Sequence, residues 1–301
     1  MKPADIVRLL ILSTLWGGSF ILLRIAAPVL GPVVLIAVRV LLAGVALLAF
    51  ALFVRQPLAL RTRWRDYLVL GALGSAVPFV LISIASLQLT ASMTAILNAT
   101  SPVFGALFAA LFLRDSLSLR KVAGMLLGMV GVGIITGFTL PVINLPSLLA
   151  IGASLAAAAC YGLGGTYTRA RLTGAPALGM AVGSQLAAAV ILWPIVPFYL
   201  PNSVPSLAVI VVVLTLALLC TAFAYVLYYA LVVNVGPMQA LTVTFLTPLF
   251  GVIWGRIFLN EQITIGTIAG GAVVLLGTAL VTGVQLPVRG GFRCGDDGVT
   301  G

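Results

Sequence analysis

Ten apolar stretches of about 20 residues succeed one another along the chain, at roughly 6–24, 32–53, 67–87, 93–113, 121–138, 148–168, 175–197, 207–231, 238–258 and 264–284. A helix of that length rises about 30 Å, enough to cross the hydrocarbon core of a bilayer, and it pairs its own backbone polar groups, as lipid demands. Membrane-spanning β-strands would show segments of alternating polarity about ten residues long, and none are visible. Only 7% of the 301 residues are charged, against about a quarter in soluble domains. The spacing therefore predicts an all-α integral membrane protein of ten transmembrane helices. The loops are too short for a soluble domain. The first stretch follows Lys2 and Arg8 without a small-residue cleavage site, so it reads as a retained span.

The net charge of +10 would suggest nucleic acid in a soluble domain, but here it lies in short loops, where it sets membrane orientation. With the N-terminus in the cytoplasm, Lys2, Arg8, Arg55, Arg61, Arg63, Arg65, Arg114, Arg120, Lys121, Arg169, Arg171, Arg289 and Arg293 all fall inside. Only Arg24 and Arg256 approach the outer side, and Arg39 lies within a span. Both termini are expected to be cytoplasmic, with no nucleic-acid partner. Cys160, Cys220 and Cys294 lack metal or redox spacing and there is no His, so no metal and no cofactor are expected.

Much of the chain occurs twice. Ser101-Pro102-Val103-Phe104-Gly105, Phe112-Leu113-Arg114-Asp115, Ala123-Gly124, Gly131 and Thr136-Gly137 are matched by Thr247-Pro248-Leu249-Phe250-Gly251, Phe258-Leu259-Asn260-Glu261, Ala269-Gly270, Gly277 and Thr282-Gly283, 146 residues on. Earlier matches run at 145: Trp16-Gly17 with Tyr161-Gly162, Arg24 with Arg169, and Ala91-Ser92-Met93 with Gly236-Pro237-Met238. Five spans per copy is an odd number, so the copies enter the membrane in opposite senses. The expected organisation is a first five-helix repeat over 1–140, a second, inverted one over 147–285, and a mobile cytoplasmic tail over 286–301. Inverted repeats of this kind recur in secondary transporters.

Trp16-Gly17-Gly18-Ser19-Phe20 with Arg24, Arg39-Val40-Leu41-Leu42-Ala43, the Ala95…Pro102 pattern, and the endings Leu113-Arg114-Asp115 and Leu259-Asn260-Glu261 together resemble the EamA-type branch of the drug/metabolite transporter superfamily, over nearly the whole chain to about Gln285. The basic residue ending span one is commonly Lys in that family; here it is Arg24. The resemblance implies a bacterial inner-membrane exporter of small metabolites, with aromatic and other neutral amino acids as the expected substrates. A monomer is expected to suffice for the pathway, the oligomeric state being left open.

Several residues are candidates for that work. Arg39, about 10 Å into span two at helical rise, either binds a substrate carboxylate or snorkels or bonds to neighbouring carbonyls. Arg24 either contacts substrate and gates the pathway or anchors span one at the interface, and Arg169 reads as a topology charge. Trp16 and Tyr161, each beside glycine, either wall a central cavity or merely pack. Tyr167, Tyr225, Tyr228 and Tyr229 are further aromatics. Pro102 and Pro248 are expected to bend spans four and nine, with polar residues alongside that include Asn98, Thr100, Ser101, Thr242, Thr244 and Thr247. Asn98, Gln185 and Thr244 are the expected substrate contacts among the polar residues. The glycines of spans five and ten read as tight helix packing.

All six acids, Asp5, Asp66, Asp115, Glu261, Asp296 and Asp297, lie at span ends, in loops or in the tail. Proton pumps normally carry a mid-membrane carboxylate or His, so facilitated or weakly coupled transport by alternating access is expected, and cationic drugs are disfavoured. Other small metabolites, such as nucleosides and organic acids, or drugs are the alternative cargo. Sugar phosphates rank low for want of cavity cations. An intramembrane enzyme lacks a nucleophile–base set, and a scaffold remains a rival.

Overall fold

The computed structural model of the protein describes residues 2–116, 118–139, 144–201, 204–235 and 243–282. The proposed tail over 286–301 lies outside them. Every regular element among the described residues is helical. We number the rods α1 (Pro3–Leu30), α2 (Pro32–Phe53), α3 (Trp64–Ala85), α4 (Ala91–Leu113), α5 (Leu119–Thr139), α6 (Leu145–Arg171), α7 (Ala177–Phe198), α8 (207–235), α9 (Val243–Leu259) and α10 (Ile265–Thr282). Seven of them, α1 to α4 and α6 to α8, are long and apolar enough to cross a membrane, and shorter apolar helices lie within α9 and α10.

Local chemistry marks the ends. Gly31, at φ +72°, joins α1 to α2 through a single residue, and Pro32 starts α2 where a missing N–H costs nothing. Thr90 and Asn144 cap α4 and α6 by accepting from the N–H groups of Met93 at 3.1 Å and Ser147 at 2.9 Å. Leu126, Met129, Val130, Val190, Leu249 and Ile268 are exposed on the surfaces of four helices, as a lipid-facing surface requires.

Packing proceeds in pairs. α5 lies along α10, α2 along α7, α1 against α8 and α9, and α6 against α3 and the second half of α4. Glycine makes the tightest of these approaches. A Cβ on Gly17 would stand 2.6 Å from the Phe250 Cβ and 2.9 Å from the Gly251 nitrogen; one on Gly162 would stand 2.6 Å from the Gly105 nitrogen and 2.9 Å from the Phe104 Cβ. The same reciprocity holds between α5 and α10, where Gly131 abuts Val274 and the Gly270 carbonyl while Gly277 abuts Gly128 and the Gly124 carbonyl. The glycines expected to pack helices do so.

The two prolines are not equivalent bends. α4 is interrupted by a turn at Ala99–Thr100, and Pro102 occupies the first turn of the segment that restarts at Ser101. Its missing N–H is one that a fresh helix leaves unpaired anyway. Pro248 instead lies inside the continuous helix Val243–Leu259.

Candidate functional site

A polar buried layer is built on two turns of π-helix, Ala72–Ala76 in α3 and Leu218–Phe223 in α8, which start 146 residues apart. Such widened turns recur at functional sites. Each offers a hydroxyl to a facing helix. Arg39 of α2, 4% exposed, donates from Nε to Thr221 Oγ1 at 2.9 Å, and that hydroxyl donates to the Leu216 carbonyl at 2.8 Å. Gln185 of α7, 0% exposed, donates from Nε2 to Ser75 Oγ at 2.8 Å. Arg39 and Gln185 are themselves 146 residues apart, as are Ser75 and Thr221. The hydroxyl of Tyr225 is hydrogen-bonded with Ser75 and Gln185, and Tyr225 lies within electrostatic reach of Arg39, which joins the two arms into one network.

Aromatic rings enclose it. The Arg39 guanidinium carbon stands 4.2 Å from the centroid of the Phe79 ring, and Phe79 meets Tyr161 edge-on at 6.4 Å. Trp16 packs on Tyr225 at 6.4 Å and Tyr228 at 5.6 Å. Among the described residues no carboxylate lies within 4.0 Å of Arg39, and only its Nε has a hydrogen-bond partner. The Oε1 of Gln185 has no partner either. A buried guanidinium without an anion, beside a spare amide acceptor and ring faces, is chemically suited to a small amphipathic solute bearing one negative group. The Ser75–Gln185 bond is expected to contribute roughly 0.5–1.5 kcal/mol, measured as the coupling energy of a Ser75→Ala, Gln185→Leu double-mutant cycle.

The sequence-predicted residues divide accordingly. Trp16, Arg39, Tyr161 and Gln185 converge on this layer. Asn98 ends the first half of α4 with Oδ1 buried and without a partner, and among the described residues no hydrogen bond or ring contact joins it to Arg39. Thr244 belongs to α9, but its side chain lies outside the described residues. Arg24, expected to end span one, instead lies inside α1, six residues before its last residue Leu30, donating to the Leu89 carbonyl and standing 3.6 Å from Glu261. Arg169, read as a topology charge, forms a two-point pair with Asp115 at 2.7 and 3.3 Å. Sequence reasoning passed over Ser75, Phe79 and Thr221, although the 146-residue spacing of the two hydroxyls was a signal for them.

The hydrogen bonds from Arg169 hold the Asp115 carboxyl below the ordinary carboxylate range, against a smaller desolvation effect. A depressed folded value places the pair's contribution above the unfolded pKa of about 3.9, and it fades as pH falls through the lower folded value. The Tm difference between Asp115→Asn and the parent is therefore expected to be constant from about pH 8 to 5 and to shrink only in stronger acid.

The EamA-like transporter family matches residues 5–137 and, a second time, 148–283. The chain belongs to the EamA-like transporter family. It is a multi-pass membrane protein, and several of its curated relatives carry transporter names. An uncharacterized transporter of Archaeoglobus fulgidus is 24% identical over 275 residues, covering 89% of this chain and 95% of that one. The uncharacterized transporter YvbV of Bacillus subtilis is 26% identical over 285 residues, covering 93% and 92%. A chloroplastic WAT1-related protein of Arabidopsis thaliana is 25% identical over 285 residues, covering 88% of this chain and 66% of its own. A crystal structure superposes with a TM-score of 0.67 at 17% identity over 93% of this EamA-like chain and 96% of the other, a likeness of fold alone.

Proposed function

We propose that this EamA-like transporter is an alternating-access exporter of aromatic and other neutral amino acids in the bacterial inner membrane, with both termini cytoplasmic. The observation that carries the substrate reading is Arg39: a buried guanidinium with no carboxylate beside it among the described residues. The carboxylate of an amino acid supplies the missing charge, Gln185 Oε1 accepts from its ammonium group, and Trp16, Phe79 and Tyr161 face its side chain. The cytoplasmic placement of both termini rests on the charge bias of the loops, and the inner-membrane location and export rest on the family resemblance.

We further read the chain as ten helices in two inverted repeats, 1–140 and 147–285. What supports this is reciprocity. The Gly17–Gly251 approach of α1 to α9 has its counterpart in the Gly162–Gly105 approach of α6 to α4, and Arg39–Thr221 has its counterpart in Gln185–Ser75. Transport is facilitated or weakly coupled, since among the described residues no acid stands beside the Arg39 layer. That same lack favours a second reading: without a carboxylate for the ammonium group, an aromatic monocarboxylate fits as well as an amino acid.

Counterflow in liposomes tests both. Labelled tryptophan, phenylalanine and leucine, and the matching α-keto acids, are expected to exchange without a pH gradient, whereas choline is not. Exchange of the keto acids alone would shift the assignment to organic acids, and exchange of neither would end it.

A further inference from the structure

The two acid corners of the molecule share one backbone design. α4 and α9 end in left-handed residues, Arg114 at φ 56° and Asn260 at φ 51°. The next residue is the acid, and its N–H returns to a carbonyl six residues back: Asp115 to Ala109 at 3.3 Å, Glu261 to Gly255 at 3.1 Å. Each acid stands beside an arginine, Arg169 and Arg24 respectively, which the 145-residue match also relates. The backbones are alike, yet the side chains are bonded differently.

At the Glu261 corner the carboxylate is 5% exposed and points across to α4. It accepts from the N–H of Ala91 at 2.7 Å, the N–H of Ser92 at 3.1 Å and the hydroxyl of Ser92 at 2.7 Å. These are the first amides of a helix, where a negative charge is stabilised by unpaired donors. Gly255 leaves room for it, because a Cβ there would stand 2.6 Å from Oε2. Arg24 is only 3.6 Å from the carboxylate and donates instead to the Leu89 carbonyl in the α3–α4 loop. Both arms therefore join the α1, α8, α9 group to the α3, α4, α6 group.

At the Asp115 corner the acid and Arg169 hold each other, and they are 28% and 63% exposed. Other polar links at this end also stay within one group: Asn234 of α8 to Asp5 of α1 at 3.0 Å, and Tyr167 of α6 to Asp66 of α3 at 2.8 Å. Asn234, which the 145-residue match relates to Leu89, accepts nothing from Arg169 among the described hydrogen bonds. Among the described residues, polar ties cross between the two helix groups at one end of the molecule and not at the other.

We infer that the two corners are one partner-exchange latch in its two settings: engaged, with the acid on the opposing helix and the arginine on the opposing loop, and released, with acid and arginine paired to each other. The inference rests on the inverted-repeat, alternating-access reading. Exchange of partners keeps each charge satisfied in both settings, so opening one end exposes no unpaired ion, a requirement at the edge of a membrane. Glu261, Arg24 and Ser92 are then positioning residues for the transport cycle, and the structure has the Glu261 end closed.

Distances between spin labels at Leu87→Cys and Ile263→Cys across the Glu261 end, and at Ile6→Cys and Leu119→Cys at the other, read this out in liposomes. The full-length chain is used with Cys160, Cys220 and Cys294 replaced by Ala. The unlatched population at the Glu261 end is expected to rise from roughly a tenth or less to about half in Glu261→Gln and in Arg24→Gln, with Ser92→Ala in between. Asp115→Asn leaves that end closed. A lowered Tm with unmoved distances would reduce the contacts to fold support and overturn the latch, as would opening of the Glu261 end by Asp115→Asn. Opening there without approach of the Ile6 and Leu119 labels would uphold the latch while sinking alternating access.

Discussion

Arg39→Gln is expected to cut counterflow by about 30- to 4,000-fold, because truncating one side of a buried charge pair costs about 2–5 kcal/mol. The same change is expected to leave Tm unchanged or raise it. Arg39 has no described anion, so the fold carries the desolvation of a cation that only substrate neutralises; insertion scales put that cost at about 2.5–3.5 kcal/mol at a helix centre. Arg39→Lys keeps the charge but loses the planar fork and the stacking on Phe79, and is expected to fall between the two. A variant that loses stability and transport together would make Arg39 a structural brace between α2 and α8. A variant that transports normally would remove it from the site altogether.

Gly162→Ala and Gly17→Ala are expected to lower the folded yield sharply, each by more than the roughly 1–3 kcal/mol of ordinary overpacking. The obstacle is backbone, which cannot rotate aside: the added methyl of Gly162→Ala meets the Gly105 nitrogen at 2.6 Å and the Phe104 carbonyl carbon at 2.8 Å, and that of Gly17→Ala meets the Thr247 carbonyl oxygen and the Gly251 nitrogen, both at 2.9 Å. Accommodation requires α6 to part from α4, or α1 from α9. Gly152→Ala and Gly165→Ala are matched controls on the same helix as Gly162, with nothing within 4 Å of the added Cβ. Helix propensity then dominates, and each should gain about 1 kcal/mol. Monodispersity after detergent extraction and Tm measure all four. Equal behaviour of the four would show that propensity, not helix approach, governs these glycines.

The sequence alone made some of the site legible. Trp16 and Tyr161 were paired by their 145-residue spacing, and Gln185 stood out as an amide in an apolar run. The link between Arg39 and Gln185 was hidden, because a 145-residue offset sets Arg39 against Ser184 and Ser75 against Cys220. The contacts follow 146 in α2, α3, α7 and α8. Register in helices shifts within loops, and only packing reports where. Glu261 illustrates the same limit. As a letter it is an acid at a span end; its burial against α4 depends on a glycine six residues before it and on two amides 169 and 170 residues away in the chain.

What the sequence determined by itself is the class of structure: helices, in a membrane, from a duplicated unit. Lipid offers no hydrogen bonds, so a run of apolar residues decides its own conformation locally, and the loop charges suggest an orientation. What only the tertiary structure decided is pairing. Pro102 starts a new helical segment after a turn while Pro248 lies inside a continuous helix. Arg169 has an acid to itself, Arg24 shares one with a helix end, and Arg39 has none among the described residues. A charge in a membrane protein is stabilised by the groups that reach it, and these come from helices whose separation along the chain carries no trace of their distance in space.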